Sequence, residues 1–190
     1  MVSYYFTKMV IAFVSGKGGV GKSSLCYLTA LGLREAGKTV SVEDLDPQKS
    51  ITAWINPERD GIGEKGDFHL IDTRPAIDNK SVHDAIARAD RIIMPCTPSP
   101  GDLSAAKATL DVVNQFKKTK AKVFMALNRV RPGTNFSKEA PEILEALGVP
   151  LLQNSMPERQ SIQKAVLFGW KALDASTQAS VFRLTIETIS

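Results

Sequence analysis

Apolar residues fall along this chain in short blocks, separated by longer stretches in which they recur every three or four positions. The blocks Met9–Ser15 (MVIAFVS), Thr39–Leu45, Phe68–Thr73, Arg91–Cys96 and Lys122–Asn128 have the length and composition of β-strands. Several are apolar nearly throughout, as strands covered on both faces of a parallel sheet must be. Helical spacing is found over Lys22–Ala36, Ser81–Ala89, Asp102–Lys118, Ser137–Leu147, Arg159–Gly169 and Ala175–Ile189. Gly37 is placed to end the first helix and Asp102 to cap the third. This alternation predicts an α/β fold: an open, mostly parallel twisted sheet with helices on both faces. No repeat, low-complexity tract or linker interrupts it, so residues 1–190 are expected to form a single domain. Ligands of such sheets bind beyond the carboxyl ends of the strands.

Composition narrows the class. With 43% apolar and 23% charged residues the chain is an ordinary globular sequence. Cys26 and Cys96 have no metal-type spacing and fit a reduced, cytoplasmic compartment as core residues. No apolar run approaches the ~18 residues that span a bilayer, and the run Met9–Val14 is too short for a signal-peptide core. A cytoplasmic protein without stable membrane association is therefore expected. The net charge of +4 is unevenly placed, because residues 112–190 hold 11 basic and 6 acidic side chains. A basic C-terminal half fits either a polyanion partner or a solvated lysine-rich face.

The most informative string is Gly16-Lys17-Gly18-Gly19-Val20-Gly21-Lys22-Ser23, which satisfies the phosphate-loop pattern G-x-x-x-x-G-K-[ST] between a strand and a helix. Glycines let backbone N–H groups wrap a phosphate at a helix N-terminus. Lys22 supplies charge for the β- and γ-phosphates, and the Ser23 hydroxyl can ligate Mg²⁺. The same glycines also fit the G-x-G-x-x-G of a dinucleotide fold, with Asp44 at a following strand end. Lys22-Ser23, a second acidic strand end at Asp72, and the acid-rich Asp44-Leu45-Asp46-Pro47-Gln48 favour the nucleoside triphosphatase. Asn128-Arg129-Val130-Arg131 lacks the acid three residues on that guanine-binding N-K-x-D motifs use.

Lys17 is a second lysine inside the loop, and it needs a job other than that of Lys22. The string from Lys17 to Ser24 resembles the deviant Walker A motif of the ParA/MinD family of ATPases. Asp44–Gln48 resembles that family's second acidic motif, Asp72-Thr73-Arg74-Pro75 its Walker B end, and Thr97–Ala106 a stretch of the small ParA-type plasmid-partition members. The resemblance implies ATP and Mg²⁺ as ligands. It implies that Gly16 to Ser24 cradle the nucleotide, that Asn128 and Pro157 sit around adenine, and that Ser23, Asp44 and Asp72 hold the metal. Lys17 is then expected to reach the nucleotide of a partner copy, so that ATP drives homodimerisation, and Asp46 to orient the attacking water. Arg74 departs from the small residue or proline usual after the Walker B acid.

The family implies cargo positioning by a weak ATPase that an adaptor of the ParB/ParG kind stimulates. The few residues before the first strand leave no room for a helix-turn-helix, so DNA contact is expected to be non-specific and nucleoid-wide. Arg159, Lys164 and Lys171 are candidate DNA contacts; Lys117, Lys118, Lys120 and Lys122 form a second basic cluster. Two other readings stay open: a MinD-like ATPase acting at a membrane or on a protein cargo, and a P-loop ligase of the dethiobiotin synthetase type. His69 and His83 lack ligand spacing and are expected to be structural.

Overall fold

Five strands, β1 (Met9–Phe13), β2 (Val40–Asp44), β3 (Phe68–Asp72), β4 (Arg91–Cys96) and β5 (Lys122–Leu127), form one sheet in the order β2-β3-β1-β4-β5. Every pairing is parallel. The structure is a computed structural model and describes residues 9–131 and 133–190; the eight residues before β1, expected to be too few for a helix-turn-helix, lie outside them.

Side chains alternate across the sheet as the pleat requires. Ile11 and Phe13 enter one apolar layer with residues of α1 (Lys22–Glu35) and α8 (Ala175–Ile189). Ala12 and Val14 enter the other with residues of α4 (Lys80–Arg88), α5 (Pro100–Phe116) and α6 (Asn135–Glu145). All four are fully buried, which is why β1 carries no polar position. Helix α1 ends in Gly37, left-handed at φ 71°, whose N–H donates to the Arg34 carbonyl while Lys38 N–H donates to that of Leu33. Gly32 lets α8 approach α1, since a Cβ there would lie 2.4 Å from Thr185 Oγ1. Both cysteines are buried, as expected, and both histidines are structural. His83 stacks on Phe116 and donates to the Ile77 carbonyl, while His69 lies between Ser41 and Glu43.

Asp102 does not cap α5. Ser99 does, accepting from Asp102 N–H, and Pro100 takes the first helical position, where its missing N–H costs nothing. Helix α6 likewise starts earlier than expected, at Asn135, with Thr134 as its cap.

Three short elements were not expected. These are α2 (Ser50–Trp54), α3 (Pro57–Asp60) and a 3₁₀ turn (Gly169–Ala172) after α7 (Gln160–Phe168). A buried polar cluster joins them. Asp60, its side chain fully enclosed, accepts from Arg59 Nε at 2.7 Å, Arg59 Nη2 at 2.8 Å, Tyr27 OH at 3.0 Å and Asn56 N at 3.0 Å. Each bond partner offsets the desolvation of that carboxylate. Arg59 also donates to the Trp54 and Leu167 carbonyls, fixing α2 against the end of α7.

Candidate nucleotide site

Register alone gathers the chemistry. Phe13, the last residue of β1, lies opposite Asp72, which lies opposite Asp44, so both acids sit at carboxyl ends where β1 releases the phosphate loop. Residues Gly16 to Ser23 bridge β1 to α1. Gly21 is required twice over. Its φ is 85°, and a Cβ would meet Asn128 Nδ2 at 2.3 Å. Asn128 Nδ2 donates to the Val20 carbonyl at 2.8 Å, stitching the end of β5 to the loop.

Lys22 is only 6% exposed, and its ammonium donates to the Lys17 carbonyl at 3.5 Å. Burial lowers its pKa, an effect opposed by Asp72 and Asp46. Asp72 is fully buried with both carboxylate oxygens unpartnered among the described residues. Burial raises its pKa to about 7; Asp44 adds to the rise, while Ser23 and Lys22 oppose it. A buried carboxylate with no hydrogen-bond partner, beside the Ser23 hydroxyl, is a donor set that suits a hard cation, and Ser23 and Asp72 would hold a Mg²⁺ there.

Asp44 is otherwise engaged. Its Oδ1 accepts from Asp46 N–H at 3.0 Å, and its Oδ2 accepts from Thr52 N–H at 3.1 Å and Thr52 Oγ1 at 3.0 Å. Its carboxylate therefore also organises the acidic loop, a task that the sequence does not announce beside the expected metal ligation. Asp46 Oδ1 accepts from Gln48 N–H at 2.9 Å, in an Asx turn that presents the side chain at the loop surface.

Lys17 differs from Lys22 in every respect. Its side chain is 43% exposed and its ammonium pairs with Asp102 of the same chain, which also accepts from Thr97 Oγ1. Partial burial would raise the Asp102 pKa, but Lys17 and Thr97 hold it below the usual carboxylate value. The removal of Asp102 from the capping position is what frees its carboxylate for Lys17.

Two cavities flank the loop. One, of ≈ 320 Å³, is lined by Ser24, Trp54, Asn128, Pro157, Ile162 and Val166, with Arg129, Glu158, Arg159 and Gln163 around them. Its walls come together because the chain after α6 runs beside β5: Val130 N–H donates to the Met156 carbonyl and Glu158 N–H to that of Val130. With Nδ2 committed to Val20, Asn128 keeps Oδ1 free to accept a hydrogen bond. An apolar slot with an acceptor suits a base bearing an exocyclic amine. The other cavity, of ≈ 540 Å³, opens on Lys17, Gly18 and Gly19 and is closed by Thr97–Ser99, Asp102, Arg129, Arg131, Thr134 and Glu158.

Asn128, Pro157 and Ser24, which the family resemblance groups around a nucleotide, thus line one cavity. Trp54 was missed because α2 was not foreseen. All three candidate DNA contacts are exposed; Arg159 stands at the N-cap position of α7, where its side chain makes no capping bond, and borders the ≈ 320 Å³ cavity. In the second basic cluster, Lys118 is paired with Asp90 at 3.0 Å. Among the described residues no helix is long and apolar enough to cross a membrane.

The comparisons agree with this geometry. Maintenance of carboxysome distribution protein A of Halothiobacillus neapolitanus is 28% identical over 182 residues, covering 84% of each chain. A Cyanothece McdA variant in complex with ATP superposes with a TM-score of 0.78 at 15% identity, covering 95% of this chain and 96% of that one. A plasmid partition protein from Borrelia burgdorferi gives 0.73 at 17% identity, with 95% and 97% covered. Residues 11–171 match the CobQ/CobB/MinD/ParA nucleotide binding domain, so the chain belongs to that family.

Proposed function

We propose that this protein is an ATP-driven association switch that positions a cargo. ATP binds with its base in the Trp54–Asn128–Pro157 cavity and its phosphates on Gly16 to Ser23, where Lys22 holds them. When bound, Mg²⁺ neutralises phosphate charge beside Ser23 and Asp72. Asp46, displayed by the Asp44-organised turn, orients water for attack on the γ-phosphate. Catalysis is positioning and charge stabilisation.

The observation that carries the reading is the placement of Lys17 outside the cradle, half-exposed at the mouth of a separate cavity. A partly solvated ion pair such as Lys17–Asp102 is worth about 0–1 kcal/mol. A triphosphate presented by a second copy can therefore take over the lysine at little cost, making the dimer conditional on ATP. ADP lacks the γ-phosphate charge and lets the copies part.

Dimerisation doubles the exposed lysines of α7 and the turn after it, Lys164 and Lys171, and so strengthens non-specific DNA binding with a steep salt dependence. An adaptor on the cargo then stimulates hydrolysis and release from the nucleoid. The cargo is a plasmid or a protein body, the two classes named for the relatives. Light scattering tests the first step. The wild type should double in mass with ATP·Mg²⁺ and remain monomeric with ADP; an unchanged mass with ATP would refute the switch. Retention on duplex DNA at low salt, with ATP only, tests the second.

A further inference from the structure

Arg129 stands out among the residues around the loop. It follows Asn128 at the end of β5 and is one of only two non-glycine residues with positive φ among those described, at 53°. A bulky side chain in the left-handed region is costly and persists where the surroundings dictate the backbone. Here they do: Asn128 N–H donates to the Cys96 carbonyl, Asn128 Nδ2 to Val20, and Val130 exchanges backbone bonds with Met156 and Glu158. Glycine or asparagine would satisfy this turn more cheaply.

The side chain is held in a particular place. Its Nε lies 3.7 Å from where a Cβ on Gly21 would be, so it crosses the entrance of α1. It borders both cavities, the base slot and the space beside Lys17. Its neighbour Arg131 is neutralised by Glu158, but Arg129 has no ion-pair partner among the described residues. An exposed guanidinium with no ion-pair partner among the described residues, though near enough to lower the Glu158 pKa, thus stands between the base slot and the cavity beside Lys17 and crosses the start of α1.

We propose that Arg129 is a nucleotide-binding residue that grips the polyphosphate of the nucleotide bound by its own chain, where it passes from the base slot to the loop. The proposal rests on the nucleotide-site reading above and assigns one more residue to it. A guanidinium suits the task because its planar fork can bind two anionic oxygens at once, and the backbone strain at residue 129 is kept for the sake of that placement.

The test uses calorimetric binding of ATP, ADP and adenosine in a Lys17→Gln background, which separates binding from association. Arg129→Ala should weaken ATP and ADP by about tenfold, the loss of one charge-assisted contact, and leave adenosine unchanged; Arg129→Lys should restore part of the loss. Arg129→Gly should lose the same affinity with a melting temperature equal to or above its parent, because glycine relieves the left-handed strain. Nucleotide affinities within twofold of the parent in Arg129→Ala would overturn the proposal. So would an equal loss for adenosine, which would place the contact on the base, or an affinity loss in Arg129→Gly that merely follows a fall in melting temperature. A Lys17→Gln parent that binds neither nucleotide would overturn the nucleotide-site reading and this proposal together.

Discussion

The two lysines of the phosphate loop are five positions apart, yet they live in different physical worlds. Lys22 opens α1, is 6% exposed, and faces buried Asp72 in a setting that lowers its pKa. Lys17 stands on the loop's outer shoulder, its side chain 43% exposed and its ammonium paired with Asp102. A buried cation beside an unpartnered carboxylate is committed to one role, and the fold around it cannot be rearranged cheaply. A half-solvated ion pair is exchangeable. On the proposed reading, one lysine therefore belongs to the binding site of its own chain and the other serves a second molecule.

Four outcomes sharpen that contrast or break it. Lys22→Ala should have the largest effect, weakening ATP binding by at least about a hundredfold, because a buried charge-assisted contact to phosphate is lost. Calorimetry checks it, and near-normal affinity would dissolve the distinction. Lys17→Gln should keep ATP affinity within about threefold, since the residue lies outside the cradle, but abolish ATP-dependent association in light scattering.

Asp72→Asn comes third, and its sign is opposite for stability and function. The Asp72 pKa is raised from 3.8 to about 7. Between those values the folded state keeps a proton that the unfolded chain releases, so stability falls as pH rises from about 4 to 7. The whole rise corresponds to an upper bound of ~4 kcal/mol. Asp72→Asn should thus stabilise the nucleotide-free protein by about 2 kcal/mol at pH 8, and by less toward pH 5, while losing Mg²⁺-dependent hydrolysis. Melting curves at both pH values test this; a destabilised variant at pH 8 would show that Asp72 has a partner in the free protein. The smallest effect belongs to Asp102→Asn, which should cost less than about 1 kcal/mol, leave ATP affinity unchanged, and favour ATP-dependent association slightly by freeing Lys17.

Most of this site was legible before any coordinates because its parts are local. The strands could be read from short blocks of apolar residues, several nearly unbroken, and Gly16 to Ser23 announces a phosphate cradle by residue type and spacing. Asn128 and Pro157 were reachable only through family resemblance, since the parallel bridge between Val130 and Pro157 joins segments that no periodicity connects. The cap of α5 was misread because Asp102 and Ser99 are both good caps, and the proline between them decides for Ser99. Trp54 was missed for want of α2, a five-residue helix too short for a periodic signal. The α3 that follows did carry a signature, Asn56 as cap with Pro57 next. The Tyr27–Arg59–Asp60 cluster left no local trace, because its members meet only in three dimensions.

The central claim is that Lys17 acts on a nucleotide held by another copy, and a mixing experiment addresses it directly. Lys17→Gln retains a complete cradle, and Lys22→Ala retains Lys17, so each supplies what the other lacks. Steady-state ATP hydrolysis of the equimolar mixture should rise clearly above the sum of the two variants assayed apart. A mixture no more active than that sum, with both variants folded, would contradict the account.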